Sequence, residues 1–193
     1  SNDVLNDAVA LRKRAARDGY LFFTDLVDLA ALRALRGRFE EILARHQWID
    51  EGTAASDLLT TKEAVVEGMP EFIPVLEDFQ RLEEFHAFAH DPGVLGMLGR
   101  LFGDTVLAHP RNIGRIVFPT TPTTPPHQDY VHIQGTPDVW TAWIPLGDCP
   151  RALGGIQVLA GSHRVGVYPV QRMSGAGGVG VPTDGLPGDW VAG

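Results

Sequence analysis

His127-Gln128-Asp129 places an imidazole and a carboxylate two positions apart. Along an extended strand, residues i and i+2 face the same way. An imidazole nitrogen and a carboxylate oxygen can therefore converge on one metal ion. Two histidines and one carboxylate on a single face of an octahedron leave three positions open, which suits non-heme Fe(II) oxygen chemistry. One open edge can take a chelating 2-oxo acid, and the last position dioxygen. The pair alone also fits a plainer reading, a strand-end histidine hydrogen-bonded to a neighbouring carboxylate.

The other reactive side chains offer less. His163 sits in the turn Gly161-Ser162-His163 and reads as structural. His132 follows His127 by five residues, an offset that points it to the opposite face of a regular strand. His109 precedes Pro110, and His46, His86 and His90 fall on helical segments. The single Cys149 excludes an internal disulfide and a multi-cysteine zinc site. No basic group adjoins it in sequence to activate a thiolate. Gly175 to Gly180 lacks the Lys-Ser/Thr and the strand–helix frame of a phosphate loop.

These residues need a scaffold, and glycine and proline divide it. The first 100 residues hold 7 Gly and 3 Pro; the last 93 hold 15 and 11. Helix interiors tolerate neither residue well, whereas turns use both. A single domain over residues 1–193 is expected, mainly helical over 1–104 and mainly strands and loops over 105–193. The helices expected are Asp3–Arg17, closed by Asp18-Gly19, then Asp25–His46, Asp78–Ala89, and one from Pro92 to Gly103. Leu32, Leu35, Phe39, Ile42 and Leu43 form one apolar stripe on the second of these. Strands are expected at Tyr20–Phe23, Val106–Ala108, Ile113–Phe118, Val139–Leu146, Ile156–Leu159 and Val165–Val170. Val139, Thr141 and Trp143 alternate with Trp140, Ala142 and Ile144, and the large groups on both faces predict a strand buried on both sides. Gln47–Thr61 and the proline-rich Pro119–Pro126 read as loops, and Ser174–Gly193 as a weakly patterned tail.

The composition excludes other classes. The 193 residues are 44% hydrophobic and 21% charged, a globular balance. The net charge is −8 with no basic stripe, which argues against nucleic acid. No apolar run approaches a membrane span, and no secretory signal pattern is visible. A cytoplasmic location is the expectation.

Taken in order, the motifs resemble one family. His127-Gln128-Asp129-Tyr130 is followed by Trp140-Thr141-Ala142-Trp143-Ile144-Pro145-Leu146-Gly147-Asp148. Leu153-Gly154-Gly155-Ile156-Gln157-Val158-Leu159-Ala160-Gly161-Ser162-His163 comes next. With Asp18-Gly19-Tyr20-Leu21 at the start, this set resembles the phytanoyl-CoA dioxygenase family of Fe(II)/2-oxoglutarate oxygenases over about residues 18–170. The resemblance implies an α+β fold, a double-stranded β-helix or jelly-roll barrel flanked by N-terminal helices. It implies His127 and Asp129 as Fe(II) ligands and 2-oxoglutarate as co-substrate. By position it puts Trp143 against the 2-oxoglutarate, with Asn112 and Arg111 on a strand that can line the same cavity. An intact carboxylate at Asp129 points to hydroxylation of a small organic substrate rather than halogenation.

The family pattern also has a second ligand histidine and, about ten residues on, an arginine for the distal carboxylate of 2-oxoglutarate. No His follows His163 here and no Arg follows Arg172. The expectation is therefore an incomplete form of an oxygenase. Its rivals are a non-catalytic jelly-roll binding module without the second histidine, and a cupin-like metal enzyme that uses no 2-oxoglutarate.

Overall fold

The structure is a computed structural model that describes residues 1–50, 52, 53, 57, 60–118, 121, 123–136, 138–175 and 177–192. The chain forms two compact units, interleaved in sequence. One comprises Ser1–Thr24, Pro122–Ile144 and Cys149–Gly193; the other comprises Asp25–Thr121 and Pro145–Asp148.

The second unit is helical. Helix α2 (Leu29–Arg45; α1 belongs to the other unit) starts where the Asp28 carboxylate accepts from the backbone N–H groups of Ala30 and Ala31. That cap sets its start, later than the expected Asp25, which has a positive φ of 55°. The expected helix over Asp78–Ala89 is two helices, α3 (Phe72–Gln80) and α4 (Glu83–Phe88). Pro74 is tolerated in the first turn of α3, where an N–H has no helical partner to lose. Leu82 is extended at ψ 119° and breaks the run. The break lets both Phe79 and Phe85 reach Phe39, with ring centroids 3.9 and 5.5 Å away. These rings, with Leu35, Ile42, Trp48, Phe72 and Val75, form the core of this unit.

Helix α5 (Pro92–Phe102) begins at Pro92 and ends on Gly103 at φ 73°, as expected. Its cap, Asp91, is buried. One carboxylate oxygen accepts from Gly93 and Val94, and the other from the Asp28 N–H. A single buried carboxylate thus ties the starts of α2 and α5 together.

The first unit holds α1 (Ala8–Asp18), the short α6 (Tyr130–Ile133) and four short strands: β1 (Gln157–Ala160), β2 (Gln171–Arg172), β3 (Val179–Gly180) and β4 (Asp189–Ala192). β1 pairs antiparallel with β4, Gln157 opposite Ala192 and Ala160 opposite Asp189; β2 pairs antiparallel with β3. The tail read as weakly patterned therefore supplies both β3 and β4.

The strand expectations need correcting. Among the described residues the sheets are two two-stranded ladders and not a closed jelly-roll barrel. Tyr20–Phe23 is irregular: this segment is bound by the chain start, with the Ser1 amino group donating to the Phe22 carbonyl and Asn2 clasping Thr24. Val106–Ala108, Ile113–Phe118 and Val139–Leu146 join no ladder. Alternating apolar residues describe what a strand needs on its faces, and a ladder needs partner backbone as well. Val139–Leu146 is not buried on both sides either: Trp143 is 47% exposed. At Val165–Val170 the chain ends a 3-10 turn (Ser162–Val165) and reverses at Gly166, φ 72°. Of the expected loops, residues 51, 54–56, 58, 59, 119, 120 and 122 lie outside the described set, and the remaining positions carry no helix or strand.

Candidate metal centre

All parts of this site belong to the first unit. The segment before His127 is pinned by β3. The Val181 N–H donates to the Pro126 carbonyl at 2.7 Å, and Val181 is buried. Gly180 allows the close approach: a Cβ there would meet the Met173 sulfur and Pro125 at 2.7 Å. From this platform the His127 ring folds back, its Nδ1 2.8 Å from the Pro125 carbonyl oxygen. A carbonyl only accepts, so Nδ1 carries the proton and donates. In the neutral ring Nε2 then bears the lone pair. Fixing a ligand histidine through its second nitrogen is the usual device of metal sites.

Nε2 of His127 faces Asp129 Oδ1 at 3.3 Å, with the two side chains 33% and 38% exposed. The other oxygen, Oδ2, accepts a hydrogen bond from the Thr141 hydroxyl at 2.5 Å. His127 holds the Asp129 carboxyl down to about 2; partial burial opposes it, and Thr141 and the nearby His132 add to it. Asp129 is ionised at any physiological pH.

Gln128, between the two, acts as a clasp and itself lines the adjoining cavity. Its amide donates to the Gly166 carbonyl at 2.7 Å, and its carbonyl accepts from the Tyr168 N–H at 2.8 Å. One side chain thereby satisfies a backbone acceptor and donor two residues apart, as a neighbouring strand would. The clasp holds Gly166 and Val167 as one wall of a cavity of about 420 Å³, lined also by Asp129, Tyr130, Val139, Thr141 and His163. That volume lies in the ordinary range for small-molecule pockets.

His132 departs from expectation. The chain does not continue as a strand after Asp129. The Asp129 carbonyl accepts from the N–H groups of His132 and Ile133 and starts α6. The turn brings the His132 ring back to 6.3 Å from that of His127, edge to face.

His163 is engaged with α1. Its Nε2 lies 3.0 Å from the Ala16 carbonyl oxygen; Arg164 donates to the Arg17 carbonyl and the Gly161 N–H to that of Asp18. Three successive carbonyls at the helix end, which lack intrahelical partners, are satisfied by one distant turn. Gly19 sits beneath, at φ 78°, and a Cβ on it would fall 2.1 Å from His163 Nδ1.

The sequence-derived site residues are thus partly assembled. His127 and Asp129 meet. Trp143 is half exposed and outside the set lining the cavity. Arg111 and Asn112 belong to the second unit, where the Arg111 N–H donates to His109 Nδ1 and the Asn112 carbonyl accepts from Gln80. Thr141 and Gln128 were not singled out in the sequence. Strand alternation does put Val139 and Thr141 on one face, and both line the cavity. Among the described residues no group of three or more His, Cys, Asp or Glu side chains is placed to hold a metal ion. No helix among them is long and apolar enough to cross a membrane.

Comparison with known proteins identifies the family. The family model for phytanoyl-CoA dioxygenase (PhyH) matches residues 15–176, and the chain belongs to that family. A 1-deoxypentalenic acid 11-beta-hydroxylase of Streptomyces arenae is 27% identical over 171 residues, covering 84% of this chain and 57% of the relative. A peroxisomal phytanoyl-CoA dioxygenase of Bos taurus is 25% identical over 194 residues, covering 96% of this chain and 56% of the relative. The chain therefore spans little more than half the length of the curated relatives it matches.

Proposed function

We propose that the chain carries the metal-binding part of an Fe(II)/2-oxoglutarate-dependent dioxygenase that hydroxylates a small organic substrate. The observation that carries this is the approach of His127 Nε2 and Asp129 Oδ1 to 3.3 Å, with His127 Nδ1 already committed to Pro125. Ligands about 2.1 Å from a metal and at right angles to each other stand about 3.0 Å apart, so the pair fits one ion with little movement. The donor pair, one imidazole nitrogen and one carboxylate oxygen, is two of the three protein ligands of a non-heme iron site.

Family membership and the relatives' names, a hydroxylase and a dioxygenase, support the reaction class. When bound, iron with 2-oxoglutarate and dioxygen supplies the oxidising chemistry that places a hydroxyl on a C–H carbon. The protein's own part is narrower. His127 and Asp129 hold the metal, Pro125 fixes the imidazole tautomer, and Gln128 keeps the cavity wall closed. In the metal-free chain a proton between Nε2 and Oδ1 can satisfy both groups; binding of a cation displaces it, so affinity falls in acid. The cavity takes a small molecule beside Asp129. Contact with 2-oxoglutarate is assigned to Trp143, on its position in the family pattern; Arg111 and Asn112 lie in the other unit. A jelly-roll barrel and a second histidine ligand, a role that no histidine of this sequence is assigned, are part of the same proposal.

The test is anaerobic equilibrium dialysis of the chain against Fe(II), with and without 2-oxoglutarate. One iron per chain, lost in Asp129→Ala, is expected. Iron retained by Asp129→Ala, or none bound by the wild type, refutes the reading and leaves a non-metal binding module.

A further inference from the structure

Resting on the metal site proposed above, we propose that Thr141 is a positioning residue that makes Asp129 a one-oxygen ligand. The Asp129 carboxylate can only accept, so in the 2.5 Å contact with Thr141 Oγ1 the hydroxyl is the donor. Hydrogen bonds of this length to an ionised oxygen are among the stronger ones. The bond occupies Oδ2 and leaves Oδ1 on the side of His127 Nε2. Carboxylate rotation about Cβ–Cγ is otherwise soft and broadly two-fold. With Oδ2 held, the group cannot turn to offer both oxygens to one cation. A two-oxygen grip would fill a further coordination position, one that a chelating co-substrate needs.

Thr141 suits this task. It is β-branched and stiff about χ1, and it lies twelve residues beyond Asp129 on a different segment of the unit. A donor fixed elsewhere in the fold orients a ligand better than one that moves with it. Its neighbour across one residue, Val139, lines the same cavity, so the hydroxyl is presented from an established wall.

The experiment uses Co(II) alone as probe, titrated anaerobically into the full chain and followed by its visible d–d absorption. Thr141→Val keeps the side-chain shape and removes the donor; Thr141→Ser keeps the donor. Groups that hydrogen-bond to metal ligands are worth about 10–100-fold in affinity. Thr141→Val is expected to weaken Co(II) binding by about tenfold and to alter the band shape, as Asp129 turns to a two-oxygen grip. Thr141→Ser is expected to recover the wild-type spectrum and most of the affinity. Circular dichroism establishes that each variant is folded. A Thr141→Val chain with wild-type affinity and spectrum overturns the proposal, as does a Thr141→Ser chain that loses as much as Thr141→Val. Wild type that binds no Co(II), or binds it as well in His127→Ala, overturns the metal site itself and the Thr141 role with it.

Discussion

Nε2 of His127 and Oδ1 of Asp129 stand 3.3 Å apart, with the other polar atom of each side chain already bound, Nδ1 by Pro125 and Oδ2 by Thr141. The two atoms that face each other are the two that the proposed site would share with a cation. The rest of the unit is arranged around that fact: β3 pins the segment before His127, and Gln128 clasps the loop that walls the cavity.

The charge on Asp129 gives the fold a pH dependence. Its folded-state value of about 2 lies below the ordinary carboxylate value near 4. A lowered carboxylate contributes stability that is present above pH 4 to 5 and lost as pH falls from about 4 through about 2. The effect is modest, because the side chain is more than a third exposed and such pairs are screened. In metal-free protein, unfolding midpoints measured between pH 2 and 6 should fall less steeply in that window for His127→Ala and Thr141→Val than for wild type. Parallel acid limbs would show that neither partner holds the carboxylate down.

Gly19 carries two constraints, a left-handed backbone and a His163 ring in the space a Cβ would fill. Gly19→Ala should destabilise the chain by about 2–4 kcal/mol, from the left-handed strain and displacement of the cap on α1. Urea unfolding measures it. His163→Ala in the same background should add little, because the cap is already lost; full additivity would contradict the shared cause.

Asp91 accepts three backbone N–H groups from a buried position. Asp91→Ala should cost about 2–4 kcal/mol, a lost helix cap plus buried donors left unmet. Asp91→Asn keeps one acceptor oxygen and should cost less. Equal losses in the two variants would mean that packing, and not acceptor capacity, is what Asp91 provides.

The local punctuation of the fold was legible in the sequence. Gly19 and Gly103 end helices with positive φ, and Pro92 begins one. The two-residue spacing pointed to His127 meeting Asp129, and they do meet, although Asp129 has helical rather than strand backbone. Where residues meet through distant backbone, sequence reasoning failed. Val139–Leu146 has the apolar pattern of a buried strand, but a pattern does not supply a pairing partner. His132 was placed by strand geometry, and the helical turn that starts at Asp129 reverses that placement. Nothing local to Thr141 signals its bond to Asp129, because that bond exists only when residue 141 folds against residue 129. The turn at His163 reads as structural in the sequence, but its partner does not show there: the Ala16 carbonyl that His163 faces lies 147 positions earlier.

The central claim, a metal held by His127 and Asp129, is tested most directly by visible absorption. The chain is titrated anaerobically with Fe(II) and 2-oxoglutarate, with His127→Ala alongside. The account predicts a charge-transfer band in the wild type that the variant lacks. A folded wild-type chain with no band, or a band that persists in His127→Ala, would contradict it.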